Sequence, residues 1–176
     1  MGKLIDYLDF LPVVPAELLP TPEWIINKPR IDRASKGLNN PYFQPKHTDN
    51  PELNEWVKKN VVYTLSEGLE LDPTFIYVRY QVMNTGFPIH TDKYSRRVAI
   101  NYLLELGGSN VLTQVYDWNN EVLESQRIDL HRWHYLIAEL PHNATPIETP
   151  RAAISVILKT QEEVPFFKRI DYKPVT

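Results

Sequence analysis

Three side chains that can bind a metal ion stand out in the sequence. His90 and Asp92 are separated by one residue, and His142 lies far downstream in the segment 141–143. Side chains on a β-strand alternate between its two faces, so a strand over 87–92 places His90 and Asp92 side by side. The three residues together predict a metal site assembled from two separate segments of the chain.

The types of these residues indicate which metal chemistry they support. Two histidines and one carboxylate on one face of an ion form the facial triad of non-haem Fe(II) oxygenases, which leaves coordination positions open. Arg151 begins the mostly apolar run 152–158, so we expect it to be buried. A buried arginine requires an anion, either a protein carboxylate or a bound one. Its guanidinium could hold the far carboxylate of a 2-oxo acid by a two-pronged hydrogen bond.

Other polar residues accompany the apolar strands. Ser155 lies on the predicted face of Arg151, and Arg97 and Asn101 share a face of the strand that follows Asp92. An asparagine inside an apolar strand needs a hydrogen-bond partner, which is either a ligand oxygen or a neighbouring backbone group.

Simpler interpretations of these residues stay open. His90 and Asp92 can form a surface pair, His142 can cap a loop, and Arg151 can be a surface residue at a strand end. Such residue pairs also occur by chance, and the combination is more specific than any one of them.

The other histidines are predicted to have no metal role. His131 and His134 are three residues apart at the start of a strand, so they face opposite sides and cannot both bind one ion. Both are predicted to be structural or surface residues. His47 and Asp49 form a second His-x-Asp pattern among Asn, Pro and Lys, and a surface turn is the better interpretation.

Composition limits the class of protein. The 176 residues suffice for a single domain, 1–176, with one sizeable core. The net charge of −3 gives no basic footprint for nucleic acid, and the absence of cysteine excludes disulfides and thiolate chemistry. No apolar run approaches the ~20 residues that span a bilayer, and the N-terminus lacks the apolar core of a signal peptide. We expect a cytoplasmic protein.

The predicted secondary structure changes at about residue 70, from irregular and helical to mostly strands. Many prolines predict that residues 1–50 are irregular and packed on the domain, and a helix is predicted to begin at Pro51 with Asn50 as its cap. Residues 71–176 form the predicted core. The predicted strands cover 74–83, 87–92, 97–106, 111–116, 122–130, 133–140 and 151–160, with 141–150 as a loop and 166–172 as an edge strand or tail. This pattern predicts a mainly β fold, either a sandwich or a jelly roll, with an irregular and helical N-terminal segment packed on it.

The segments 81–90, 96–101, 133–137 and 141–144, continuing to Arg151, resemble a known family. It is the Fe(II)/2-oxoglutarate-dependent oxygenases with a double-stranded β-helix, and the likeness is greatest to their aspartyl/asparaginyl β-hydroxylase-like branch. The resemblance implies iron binding by the two histidines and the carboxylate, and binding of the C5 carboxylate of 2-oxoglutarate by Arg151. Secondary cosubstrate contacts would come from Gln81 and Asn101.

The sequence departs from this branch in two places. Asp92 is present, whereas the animal hydroxylases of the branch lack the carboxylate ligand. Ala153 takes the serine position of the Arg-x-Ser pattern of other branches, and residues 1–70 match no pattern of the family.

The expected function is hydroxylation of an amino-acid or peptide side chain, with release of succinate and CO₂. The expected cofactors are Fe(II) and 2-oxoglutarate, with ascorbate as a supporting reductant, and the expected partner is a small-molecule or peptide substrate, without nucleic acid or membrane. The cosubstrate residues would be Arg151, Asn101, Gln81, Arg97 and Ser155. Two alternatives are a non-catalytic jelly-roll module that binds a metal or ligand, and a cupin-type metalloprotein in which Arg151 has no anionic ligand to bind.

Overall fold

The computed structural model describes residues 2–21, 42–43, 50–67, 76–84, 86–92 and 96–173. The strands are β1 (Ile5–Tyr7), β2 (Tyr42–Phe43), β3 (Ile76–Met83), β4 (Val98–Leu106), β5 (Leu112–Tyr116), β6 (Val122–Gln126), β7 (Trp133–Ile137), β8 (His142–Thr145) and β9 (Arg151–Leu158). The helices are α1 (Pro51–Val57), which a π-helical turn (Lys58–Val62) joins to α2 (Tyr63–Ser66), and α3 (Thr160–Arg169), with a short 3₁₀ turn at Ala16–Leu18. The predicted turn at His47 and Asp49 lies outside the described residues.

The strands form two antiparallel sheets. The larger sheet has the order β1-β7-β4-β9-β3-β2, and the smaller has the order β6-β5-β8. This arrangement is the double-stranded β-helix, or jelly roll, that the sequence predicted. The assignment of the whole chain to one domain stays a prediction.

The N-terminal arm is more regular than its prolines indicate. β1 pairs with β7 and adds an edge strand to the larger sheet, and β2 pairs with β3. The sequence predicted neither strand, because two or three residues are too few for an alternating pattern to be recognised. Leu4, Leu8 and Leu11 are buried, so this part of the arm packs on the domain as predicted.

The predicted helix at Pro51 is confirmed. The Asn50 side chain accepts a hydrogen bond from the Leu53 backbone N–H at 3.2 Å, which satisfies one of the free donors at the helix start. Leu53, Val57 and Leu65 are fully buried, as the helical spacing of the apolar residues predicts. Within the described residues, no helix is long and apolar enough to cross a membrane.

The C-terminal segment was predicted wrongly as an edge strand or tail. It contains the helix α3, which buries the adjacent residues Phe166 and Phe167. Two neighbouring aromatic residues resemble a strand pattern, but a helix also buries adjacent positions when its apolar stripe is wide. The Phe166 ring meets the Tyr135 ring of β7 edge-on, with centroids 6.0 Å apart. The helix therefore packs on the larger sheet.

Phe166 and Val164 give a matched test of this docking. Phe166→Ala should lower the free energy of unfolding by about 3–5 kcal/mol, because it leaves a cavity against the sheet. Val164→Ala changes an exposed position of the same helix and should stay within about 0.5 kcal/mol of the wild type. Equal, small losses in urea denaturation would contradict the docking of α3.

Candidate metal centre

His90 and His142 are joined by their backbones. The His142 N–H donates to the His90 carbonyl at 2.8 Å, and the His90 N–H donates to the His142 carbonyl at 3.1 Å. This contact is an isolated bridge, so of the predicted strand over 87–92 only His90 is paired in the described part of the chain. The predicted loop 141–150 is also corrected, because His142 begins β8. The bridge brings the two imidazole rings to 4.4 Å between centroids.

Asp92 is held in place by a second backbone contact. Its N–H donates to the Ala138 carbonyl at 2.9 Å, just beyond the end of β7. The sequence predicted that a strand would position Asp92, but in the structure this backbone hydrogen bond helps to hold it. The Asp92 carboxylate lies toward the two histidines. One carboxylate oxygen, Oδ1, lies 3.8 Å from His90 Nε2.

The side chains of His90, Asp92 and His142 offer one ligand atom each, and these atoms lie within 4.8 Å of one another. Neighbouring ligands on an octahedral ion are on the order of 3 Å apart, since metal–ligand bonds are about 2.1 Å long. Small side-chain movements would therefore place all three on one ion. Among the residues that the structure describes, this is the one such group of three or more.

The second nitrogen of each imidazole is already bonded. His90 Nδ1 lies 2.9 Å from the Pro88 carbonyl oxygen, and His142 Nδ1 lies 2.9 Å from the Leu140 carbonyl oxygen. A carbonyl oxygen only accepts, so each Nδ1 carries a proton and Nε2 is the ring nitrogen left for a metal ion. Histidines that bind metals are oriented in this way.

The charges also favour metal-binding protonation states. Burial raises the pKa of Asp92, but Arg96 and then His142 and His90 outweigh it, so the pKa lies below its ordinary value. Burial, reinforced by His90, lowers the pKa of His142 to about 4. At neutral pH Asp92 is therefore a carboxylate and His142 is a neutral imidazole, the forms that bind a cation.

Arg96 joins this group, although the sequence pointed to its neighbour. Its Nε donates to Asp92 Oδ2 at 2.6 Å, and its NH1 donates to Ser155 Oγ at 3.0 Å. Ser155 Oγ in turn donates to Asn101 Oδ1 at 2.8 Å. The hydrogen-bond partner of Asn101 is thus a side chain of β9, the neighbouring strand in the sheet. The sequence analysis had considered two other partners, a ligand oxygen or a backbone group.

Arg97 is not brought to the site. Its guanidinium pairs with Glu139 at 2.8 Å and lies over the Phe167 ring of α3. The prediction that Arg97 shares a face with Asn101 is wrong because β4 begins only at Val98, so strand alternation does not extend to Arg97. Two adjacent arginines were a signal that one of them reaches the interior, but the sequence could not tell which.

Arg151 is buried between the two sheets. Its NH1 donates to the Leu106 carbonyl at 2.7 Å, and its NH2 donates to Thr113 Oγ1 of β5 at 3.1 Å. Burial lowers the pKa of Arg151 to about 10, so it is still charged at neutral pH. Among the described residues, no carboxylate pairs with it.

The strand pairing connects Arg151 to the candidate metal ligands. His142 lies directly opposite Val115 on β5, and Thr113 is on the same face of β5, about 7 Å along the strand. On the larger sheet, Gln81 lies opposite Ala153, so it shares the face of Arg151 and is half-buried. The interior therefore has a cluster of metal-ligand groups at one level and a buried cation deeper in the barrel.

No protein-family model and no curated protein matches the sequence. Two solved structures share the fold. A prolyl-4-hydroxylase from Pseudomonas putida has a TM-score of 0.53 and 10% identity, covering 74% of this chain and 76% of that one. A prolyl hydroxylase from Trichoplax adhaerens, in complex with a hypoxia inducible factor oxygen degradation domain peptide fragment, has a TM-score of 0.51 and 16% identity, covering 72% and 65%.

These likenesses show the double-stranded β-helix fold and no more. Bacillus subtilis oxalate decarboxylase OxdC is more distant, with a TM-score of 0.43 and 7% identity over 77% of this chain and 29% of that one. Neither hydroxylase supports the aspartyl/asparaginyl β-hydroxylase-like branch, which stays a prediction.

Arg96 should affect metal binding through Asp92. In Arg96→Ala the carboxylate loses the donor that fixes it, and we expect the affinity for Mn(II) to fall about tenfold or more. Titration calorimetry measures this. Arg97→Ala is the matched control, because its loss should reduce stability but leave the metal affinity unchanged. Wild-type affinity in Arg96→Ala would contradict the role of Arg96.

Proposed function

We propose that this chain is an Fe(II)- and 2-oxoglutarate-dependent oxygenase that hydroxylates an amino-acid or peptide side chain. The observation that carries the proposal is the convergence of His90, Asp92 and His142 at one level of a jelly-roll interior. The charge of Arg151, buried at a deeper level of the same interior and without a carboxylate partner in the described part of the chain, supports the second requirement, an anionic cosubstrate.

The donor set fits iron. Two imidazole nitrogens and one carboxylate oxygen are the ligand set of non-haem Fe(II) oxygenases, and three protein ligands leave positions for a cosubstrate and O₂. Bound Fe(II) would supply the chemistry in which O₂ and 2-oxoglutarate give succinate and CO₂, while a substrate C–H becomes C–OH.

The residues of the chain would hold and orient the reactants. His90 and His142 would present their Nε2 atoms, and Asp92 would present Oδ1 while Arg96 occupies Oδ2. The single negative charge of Asp92 would partly balance a divalent ion and leave a net positive site, which favours an anionic cosubstrate.

Arg151 would bind the distal carboxylate of 2-oxoglutarate. Two of its N–H groups are used by Leu106 and Thr113, and the guanidinium has five, so donors remain for a carboxylate. Asn101 and Ser155 would act through the hydrogen-bonded chain that begins at Arg96, and Gln81 would line the same face.

The substrate class is an amino-acid or peptide side chain. The Trichoplax hydroxylase binds a peptide, which makes peptides a suitable panel for this fold. Next to His90, Ile89 is exposed and the Phe87 ring lies 5.1 Å from the His90 ring, so apolar groups border the candidate metal ligands. Membership of the aspartyl/asparaginyl β-hydroxylase-like branch is part of this proposal, and aspartyl and asparaginyl peptides belong in the panel.

The direct test is turnover of 2-oxoglutarate with Fe(II), O₂ and ascorbate. Wild-type protein should form succinate, alone or with a peptide and amino-acid panel, and His142→Ala should form none because two ligands hold Fe(II) poorly. Succinate is measured by NMR. Metal binding without succinate would favour the non-catalytic module, and Fe(II) affinity unchanged in His142→Ala would contradict the proposed ligands.

Arg151→Gln tests the cosubstrate site separately from the metal. The amide keeps a donor near Thr113 but loses the charge, so 2-oxoglutarate should bind more weakly by about tenfold to a hundredfold. Titration calorimetry on the Zn(II)-loaded protein avoids turnover, and the Zn(II) affinity itself should match the wild type. Equal binding of 2-oxoglutarate by Arg151→Gln would show that the arginine does not hold it, as expected for a cupin-type protein.

A further inference from the structure

Glu163 is a buried carboxyl group to which the proposed function gives no role. It lies in α3, on the outer face of the larger sheet, and is completely buried. Its Oε1 accepts hydrogen bonds from the Arg97 and Val98 backbone N–H groups at 2.7 and 3.1 Å. Its Oε2 is buried without a hydrogen-bond partner in the described part of the chain. An apolar side chain would be less costly to bury here, unless the two backbone groups need an acceptor.

The same segment of backbone is linked to the candidate metal ligand Asp92. The Asp92 N–H donates to the Ala138 carbonyl at 2.9 Å, and the Glu139 N–H donates to the Arg97 carbonyl at 2.9 Å. The Ala138 carbonyl and the Glu139 N–H belong to one peptide group, because a peptide bond joins these two residues. The Arg97 carbonyl and the Val98 N–H belong to another peptide group for the same reason.

These contacts form a continuous chain of hydrogen bonds from Glu163 to Asp92. The chain runs from Glu163 Oε1 through the peptide group 97–98, then through the peptide group 138–139, to the Asp92 N–H. A peptide group whose N–H is hydrogen-bonded is a better acceptor at its oxygen, so the bonds of such a chain strengthen one another by roughly 10–30% each. The acceptor that α3 supplies therefore strengthens the hydrogen bond that holds the Asp92 backbone.

The link from Glu163 to Asp92 does not depend on the charge of Glu163. Burial raises the pKa of Glu163, while its hydrogen bonds with Arg97 and Val98 oppose this shift. The nearby Arg97 side chain pairs with Glu139, which also accepts from the Tyr172 hydroxyl at 2.9 Å. A carboxyl oxygen accepts hydrogen bonds with or without the proton on the other oxygen. An amide oxygen at the same position would therefore preserve the chain.

We propose that Glu163 is a positioning residue for Asp92 and acts through this chain of hydrogen bonds, so that docking of α3 and metal binding at His90, Asp92 and His142 favour one another. The inference rests on the proposed function for its metal site. Coupling of this kind is reciprocal, so a bound metal ion also strengthens the attachment of the helix. The helix α3 is then part of the support of the metal site as well as a cover for the sheet.

Variants at Glu163 test the chain by titration calorimetry with Mn(II). Glu163→Met removes the acceptor and should weaken Mn(II) binding about threefold or more, because the Asp92 backbone is held less firmly. Glu163→Gln keeps an acceptor oxygen and should bind Mn(II) within about twofold of the wild type. Phe166→Leu is the matched control, because it weakens the packing of the same helix without changing a group of the chain. It should lower the stability and keep the Mn(II) affinity.

A second measurement uses the wild-type protein. In ¹H–¹⁵N spectra, Zn(II) should shift the amide signals of Glu139 and Val98, because binding at Asp92 changes the strength of each hydrogen bond in the chain. The Ile137 amide is the control, since it is two residues from Glu139 but donates to the Leu4 carbonyl at 2.9 Å, outside the chain. This measurement decides the matter where a substitution prevents folding.

The outcomes separate this inference from the proposed function. Mn(II) affinity that is unchanged in Glu163→Met, or reduced equally in Phe166→Leu, refutes the role of Glu163 while the metal site stands. Equal Zn(II) shifts at Val98 and Ile137 also refute it. If the wild-type protein binds neither metal ion, both proposals are refuted. If the variants behave as expected but no succinate forms from 2-oxoglutarate, the coupling is supported and the oxygenase activity is refuted.

Discussion

The reciprocal pair of backbone hydrogen bonds between His90 and His142 is the constraint on which the rest of the site depends. It closes a long loop, and the entropy lost in bringing the two segments together is offset by the sheets on either side. β8 is paired with β5 along its other edge, so His142 is fixed by the smaller sheet and His90 is fixed by His142. Asp92 completes the group, held by its backbone contact with Ala138 and by the Arg96 side chain.

Arg96 and Arg151 have different electrostatic environments in the interior. Arg96 is paired with a carboxylate, so it lowers the pKa of Asp92 and leaves little free charge. Among the residues that the structure describes, Arg151 has neutral partners only, so its full charge stays in a region from which water is largely excluded. Buried charges are costly unless paired, and this cost is what a bound anion would relieve. This difference suits Arg96 to positioning Asp92 and Arg151 to binding an anion.

The outer face of the larger sheet supports the segment that carries Arg96. The Glu163 carboxylate of α3 accepts hydrogen bonds from the Arg97 and Val98 backbone N–H groups at 2.7 and 3.1 Å. The Arg97 side chain pairs with Glu139, which also accepts from the Tyr172 hydroxyl. These contacts hold the start of β4 from the outer face of the sheet. Arg96, which donates to Asp92, lies just before this point in the chain. The helix that the sequence did not predict thus stabilises the wall of the proposed site.

The sequence by itself determined which residue types are candidate ligands and indicated a β fold of the sandwich or jelly-roll class. The spacing of His90 and Asp92, the later His142 and the run of short strands sufficed, because residue chemistry and strand periodicity are local properties. Only the tertiary structure decided that Arg96 rather than Arg97 reaches Asp92, because this depends on β4 beginning at Val98. It also decided that Glu163 of α3 is linked to Asp92 through the backbone. Helix docking and strand pairing set that relation, and neither is encoded in any one segment of the chain.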